Sequence, residues 1–177
     1  AVTPGADRDG VVAAVEAAVA DDLQVVAVAV LGHKADVALM VLGRDVWRLR
    51  SFQTAVAAAG LTVVDSYVSL TELSEYAQGL PEAMAQARLY PQLPPEGKPA
   101  WCFYPMSKRR EPGQNWFTLP YDEREALMRE HGSTGRGFAG RILQLITGSA
   151  GVDDYEWGVT LFAQHPDDLK EVVYKMR

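Results

Sequence analysis

The chain has 177 residues, 48% of them apolar, and a formal charge of −6 at neutral pH, enough for one large domain or two small ones with real cores. That acidity excludes a broadly basic nucleic-acid surface, and no apolar run approaches the roughly 18–20 residues of a membrane span. The single cysteine, Cys102, excludes an intrachain disulfide, a cysteine-rich metal knuckle and haem attachment through paired cysteines, and it suits a reducing compartment.

From the start of the chain, DRDGVVAAVEAAVADD (7–22) is rich in Ala and Val with acidic ends and predicts a helix. LQVVAVAVLG and ADVALMVLG (23–32 and 35–43) are β-rich runs joined through Gly32, His33 and Lys34, the pattern of a hairpin. In DVWRLRSFQTAVAAAG (45–60), Val46, Leu49, Phe52 and Val56 recur near helical spacing, and Gly60 is suited to the C′ position. LTVVDSYVSL (61–70) predicts a strand, residues 71–90 are mixed and partly helical, and PQLPPEGKP (91–99) is a proline-rich linker.

The second half repeats the rhythm. AWCFYP (100–105) predicts a strand, LPYDEREALMREHG (119–132) a helix ending at Gly132, and RILQLITGS (141–149) and DYEWGVTLFAQ (154–164) two more strands. PDDLKEVVYKM (166–176) predicts a helix with proline in its first turn and Leu169, Val172, Val173 and Met176 on one face. The halves read α-β-β-α-β and β-α-β-β-α, each a βαββαβ ferredoxin-like unit short of one terminal strand. The expected architecture is therefore α+β. Two tandem repeats form a dimeric α+β barrel-type body, with residues 1–90 as the first repeat and its connection, 91–99 as linker and 100–177 as the second repeat. A strand is expected to be missing at each end.

The sequence has three histidines. His33 and His165 fall in loops and read as surface residues. His131 shares the apolar face of its helix with Leu127 and Met128. Two readings remain open for it: a capping histidine that answers the helix dipole, or an inward metal ligand. One histidine cannot build a zinc site, but it suffices as the protein ligand to a haem iron, whose other donors come from the porphyrin. Tyr104 precedes Pro105, which biases its backbone to an extended form, and Lys108, Arg109 and Arg110 follow at once. Such a cluster is either a solvated turn or a clamp for carboxylate or phosphate. GRGFAG (135–140) matches a dinucleotide-binding pattern formally, but it follows a helix and has Thr160 where an acidic residue is needed. It reads instead as flexible, closely packed backbone.

FYPMSKRR, NWFTLP, HGSTGR, FAGRILQLITGS, DDYEWGVTLFA and DLKEVVYKMR, in this order, resemble the coproheme decarboxylases of the chlorite-dismutase-like superfamily, and GHKAD resembles their less specific N-terminal region. The resemblance covers most of residues 61–177. It implies a cytoplasmic homo-oligomer, a ring of five, that makes transient contact with ferrochelatase. The implied reaction is peroxide-dependent oxidative decarboxylation of Fe-coproporphyrin III to haem b, in which two propionates become vinyl groups by way of a tyrosyl radical. It makes Tyr104 the catalytic residue and His131 the axial iron ligand. Pro105, Met106, Ser107 and Lys108 are implied as the porphyrin-binding stretch, with Gln144 at the distal glutamine position. Arg88, in ARLYP, takes the place of an upstream propionate-binding arginine, although its linker to Tyr104 is two residues longer than the family's. A serine-bearing strand of the family lies beyond this sequence. The rivals are a chlorite dismutase, which needs a distal arginine where Gln144 stands (Arg141 is one helical turn away), a non-catalytic haem-binding or haem-sensing protein, and a purely structural dimerisation module.

Overall fold

Asp7 starts α1 (Arg8–Ala20) by accepting the Gly10 N–H at 3.0 Å, and Asp45 starts α2 (Val46–Ala58) by accepting the Trp47 N–H at 2.8 Å. Each carboxylate satisfies a donor that a helix start leaves open. Gly60 follows α2 with φ +95°, and a Cβ there would stand 2.8 Å from the Ala6 backbone, so the residue is glycine for both torsion and space. Between these helices, β1 (Gln24–Ala29) and β2 (Val37–Leu42) form the expected antiparallel hairpin, in register from Gln24↔Leu42 to Ala29↔Val37. This computed structural model describes residues 1–176. They divide into two units, one of residues 1–66 with 92–94 and the other of residues 67–91 with 95 onward. The first unit centres on Ala18, Leu23, Phe52 and Val56.

Residues 61–70 depart from the expected strand. Leu61 makes a single antiparallel bridge to Val2, and only β3 (Leu70–Thr71) pairs in a ladder, with Gly148 and Thr147. The composition is strand-like, but a strand exists only where a neighbour takes its backbone groups. Here the Val68 N–H goes instead to the Asp153 carboxylate at 2.7 Å. The segment also carries the chain from one unit to the other.

In the second unit α3 (Glu82–Leu89) precedes β4 (Ala100–Met106), and a short hairpin of β5 (Arg110–Glu111) and β6 (Gln114–Asn115) leads to a 3-10 turn at Trp116–Thr118. Pro112 and Gly113, the latter at φ +75°, make the hairpin's tight turn. Then come α4 (Tyr121–Arg136), β7 (Ile142–Gly148), β8 (Trp157–Ala163) and α5 (Pro166–Met176). The sheet order is β3-β7-β8-β4, every neighbour antiparallel. With β8 between β4 and β7, this is the split βαβ of a ferredoxin-like repeat. The expected barrel is not closed: the described strands lie in three separate sheets of two, four and two strands, and closure requires an unbroken ladder.

Register assigns the faces. Cys102, Tyr104 and Met106 share one side of the sheet with Val159, Leu161 and Ile142. They pack with Phe138 and with Leu169, Val172 and Met176 of α5. Val159, Leu161 and Val172 are at most 4% exposed, and each such burial contributes roughly 1.5–3 kcal/mol. Val173, expected on the same stripe, is instead 41% exposed. The helix expected to stop at Gly132 continues through Arg136. Glycine permits termination without forcing it, and here the left-handed residue comes later, at Gly140 with φ +84°. GRGFAG is thus the turn from α4 into β7, with Phe138 plugged into the core at 3% exposure.

Candidate active site

The longer α4 changes the meaning of His131. The side chain lies in the body of the helix, five residues before its end, so the capping interpretation fails. At positions 124, 128 and 131, Arg124, Met128 and His131 form one stripe of α4, with His131 about 10 Å along from Arg124. α5 packs directly on β8 and β4, whereas α4 rests mainly on α5 and buries none of its own side chains. Burial, reinforced by the charge of Lys108, holds the His131 imidazole below its ordinary pKa of 6.5. It is therefore neutral near pH 7, the form that donates to a metal.

Tyr104 sits on the helix-facing side of β4, half-buried, with its phenol pushed above the ordinary value of 10.0 by burial and by nearby Cys102. It is a protonated phenol throughout the physiological range. Gln144 shares this sheet face: Tyr104 stands opposite Val159 and then Ile146, and Gln144 is two residues along the same strand. Strand spacing puts the two backbone positions about 12 Å apart. Gln144 is exposed and Ile146 is 37% exposed, so this end of the face is open.

Beyond β4 the three cations separate in role. Arg109 donates to the Gln114 side chain at 2.5 Å. Arg110 pairs with Glu156 and covers the Phe117 ring at 4.1 Å. Lys108 is half-buried, its ammonium 4.0 Å above the Trp116 ring, and among the described residues it has no ion-pair partner. Burial pulls its pKa below 10.5, and Glu156 partly offsets that shift. Lys108, Arg109, Gln114, Asn115, Trp116 and Leu119 line a groove of ≈ 450 Å³.

Among the sequence-predicted site residues, Tyr104, Met106 and Gln144 therefore share one sheet face, and the charge of Lys108 acts on His131 by disfavouring its imidazolium form. Pro105, alternating with Tyr104, turns to the opposite face. Ser107 accepts the Glu156 N–H at 3.2 Å. Arg88 is exposed on the last turn of α3, and its side chain makes no hydrogen bond or ion pair among the described residues. Two site-forming residues escaped the sequence reading, Glu156 and Trp116. Their only signal is an acidic and an aromatic residue at the ends of short elements, which many loops share. Among the described residues no three His, Cys, Asp or Glu side chains gather to hold a metal ion. A metal held by a lone imidazole must bring its other donors with it, as a metalloporphyrin does.

Residues 8–177 match the family described as chlorite dismutase. The chain belongs to the chlorite dismutase family. One relative is a coproheme decarboxylase from Staphylococcus carnosus, 47% identical over 158 residues that make up 84% of this chain and 63% of that protein. The chain thus spans less than two thirds of that relative's length. A solved heme-binding protein from Thermus thermophilus superposes with a TM-score of 0.85 at 33% identity, over 99% of this chain and 76% of the other. A solved mutant of the chlorite dismutase from Candidatus Nitrospira defluvii shares the fold at a TM-score of 0.75 and 22% identity, over 98% and 75% of the two chains. In this chlorite dismutase family member Arg141 does not stand a helical turn from Gln144, because Arg141 lies in the turn before β7 and residues 142–144 are already extended within that strand. Its guanidinium is held by Asp168 at 2.6 Å and Glu171 at 3.0 Å.

Proposed function

We propose that the protein removes two propionate carboxylates from Fe-coproporphyrin III to make haem b, with hydrogen peroxide as the oxidant. The observation that carries this reading is the joint arrangement of a neutral imidazole on α4, a neutral phenol on the sheet face toward the helices, and a half-buried ammonium, free of any ion pair among the described residues, whose charge acts on the imidazole. Those three groups fit an iron porphyrin bearing carboxylates. His131 is the axial ligand, Lys108 pairs with the reacting propionate, and Tyr104 is the hydrogen-atom relay. Gln144, on the same sheet face as Tyr104, has both a donor and an acceptor for a small ligand above the ring. Arg88, Met106 and Ser107 complete the binding set, with Pro105 contributing backbone rather than ring.

The bound iron porphyrin supplies the redox centre at which peroxide is reduced. Each propionate converted to vinyl releases CO2, one proton and two electrons, and each peroxide takes up two electrons and two protons to give two waters. Tyr104 gives its O–H hydrogen to the porphyrin substrate that peroxide has oxidised, and the resulting radical takes a hydrogen from the propionate β-carbon. Cleavage of the bond to the carboxylate then releases CO2, leaves the vinyl group and returns the second electron to the oxidised substrate. A raised phenol pKa favours this role, since the O–H is present at working pH. Lys108 holds the carboxylate so that its β-carbon faces the phenol, a placement effect, and the attraction between ammonium and carboxylate is stronger in the partly dry surroundings than in water. The remaining two propionates are left to hold the ring. On this reading the subunits form a ring of five in the cytoplasm and meet ferrochelatase transiently. Incubating the full-length protein with ferric coproporphyrin and peroxide tests the proposal. Mass spectrometry is expected to show a three-propionate intermediate and then haem b. Unchanged porphyrin, with oxygen released from chlorite instead, would reverse the assignment.

A further inference from the structure

Glu156, immediately before β8, is tied to the cationic loop by both its side chain and its backbone. One carboxylate oxygen, Oε2, accepts the backbone N–H of Lys108 at 2.8 Å, and the other accepts from Arg110. Its own N–H donates to Ser107 Oγ at 3.2 Å, and its carbonyl accepts the Ser149 N–H at 2.8 Å. The side chain is only 14% exposed. Met106 is the last residue of β4 to pair with β8, opposite Trp157. Past that point the Lys108 N–H has no strand to bond to, and a buried donor left open costs about 1–3 kcal/mol. Glu156 supplies the missing acceptor at the place where the chain leaves the sheet, and thereby fixes where the Lys108 side chain begins. On the other side of the loop the same carboxylate occupies Arg110. Of the two cations it touches, it neutralises one and leaves the other's ammonium unpaired, against Trp116.

We propose that Glu156 is the positioning residue that sets Lys108 in place for the substrate carboxylate, acting through the Lys108 backbone. This rests on the proposed role of Lys108. Glu156 touches no substrate. It occupies Arg110 and leaves Lys108 to face the porphyrin, so the neutral isostere and the truncation act differently. Glu156→Gln keeps an oxygen acceptor for the Lys108 N–H while losing the charge toward Arg110. Glu156→Ala loses both.

Two measurements on the full-length protein decide it. Amide hydrogen exchange on the porphyrin-free protein is expected to show the Lys108 N–H protected in the parent and in Glu156→Gln, and exchanging at least about tenfold faster in Glu156→Ala. Exchange at Lys108 unaltered by Glu156→Ala overturns the proposal, whatever the protein's activity. The second measurement is a double-mutant cycle on kcat for decarboxylation. Lys108→Ala is expected to lower kcat by about tenfold or more in the parent but by less than about threefold in the Glu156→Ala background. Equal losses in both backgrounds, the outcome for a merely structural glutamate, overturn it. Absence of product from the parent protein counts against the decarboxylase reading, and the exchange result then decides the role of Glu156 by itself.

Discussion

Replacing Tyr104 with phenylalanine removes one oxygen and separates chemistry from architecture. The ring packs with Val159, Leu161 and Phe138, and those contacts survive the change. Its hydroxyl is hydrogen-bonded to nothing among the described residues, so no partner is orphaned. A partly desolvated hydroxyl without a partner does not stabilise a fold, and its loss is expected to change stability by less than about 1 kcal/mol. For a chain of this size that is a shift in Tm of no more than about 2–4 °C. Catalysis is a different matter. Along the helix-facing side of β4, β7 and β8, residue 104 is the only tyrosine, so no neighbouring phenol replaces it. Decarboxylation is expected to fall by about 10²–10⁴-fold, the usual range for removing a positioned proton-transfer group, while ferric coproporphyrin still binds. Thermal melting, porphyrin titration and product mass spectrometry on one preparation read all three quantities. Product formed at the parent rate refutes the relay, and a large drop in Tm refutes the packing argument.

His131→Ala is expected to alter the Soret spectrum of the ferric coproporphyrin complex with little change in Tm, since the side chain is only half-buried; an unchanged spectrum removes the ligand assignment. In the porphyrin-free protein, NMR titration is expected to place the His131 pKa below 6.5 and, because a cation at Lys108 disfavours the imidazolium, Lys108→Ala is expected to move it upward; a downward move contradicts the stated electrostatics. Phe138→Ala, at a residue 3% exposed, is expected to cost about 3–5 kcal/mol and roughly 6–20 °C in Tm, and a loss under about 1 kcal/mol would show that the α4–β7 turn is not anchored there.

How far the fold was legible depended on where the information lay. The proline-led helix of 166–176, the β1–β2 hairpin and the glycine after α2 were readable because their signals are local: a fixed φ, an apolar run broken by Gly and His, a left-handed torsion. Residues 61–70 looked like a strand because strand propensity is local, but strand formation depends on a distant partner, and β7 reaches only Leu70 and Thr71. The end of α4 was misjudged because Gly132 carries the same letter whether or not the helix stops. That error mattered for the site, since it kept alive a capping role for His131 that the full helix excludes. The strand character of β4 was visible in its apolar run, but only register revealed that Tyr104 and Gln144 face the same way. Charge was the least legible layer. Lys108, Arg109 and Arg110 are near-equivalent as letters, and they part only through Trp116, Gln114 and Glu156, whose proximity arises from a hairpin and a sheet edge.

The central claim is that α4 and the helix-facing side of β4, β8 and β7 hold an iron porphyrin between His131 and Tyr104. A crystal structure of the full-length protein soaked with ferric coproporphyrin tests it most directly. Density for the macrocycle is expected between that helix and that sheet face, with iron on the His131 imidazole and one propionate reaching Lys108 with its β-carbon against the Tyr104 hydroxyl. A porphyrin bound elsewhere, or one whose iron is ligated by any other side chain, would contradict it.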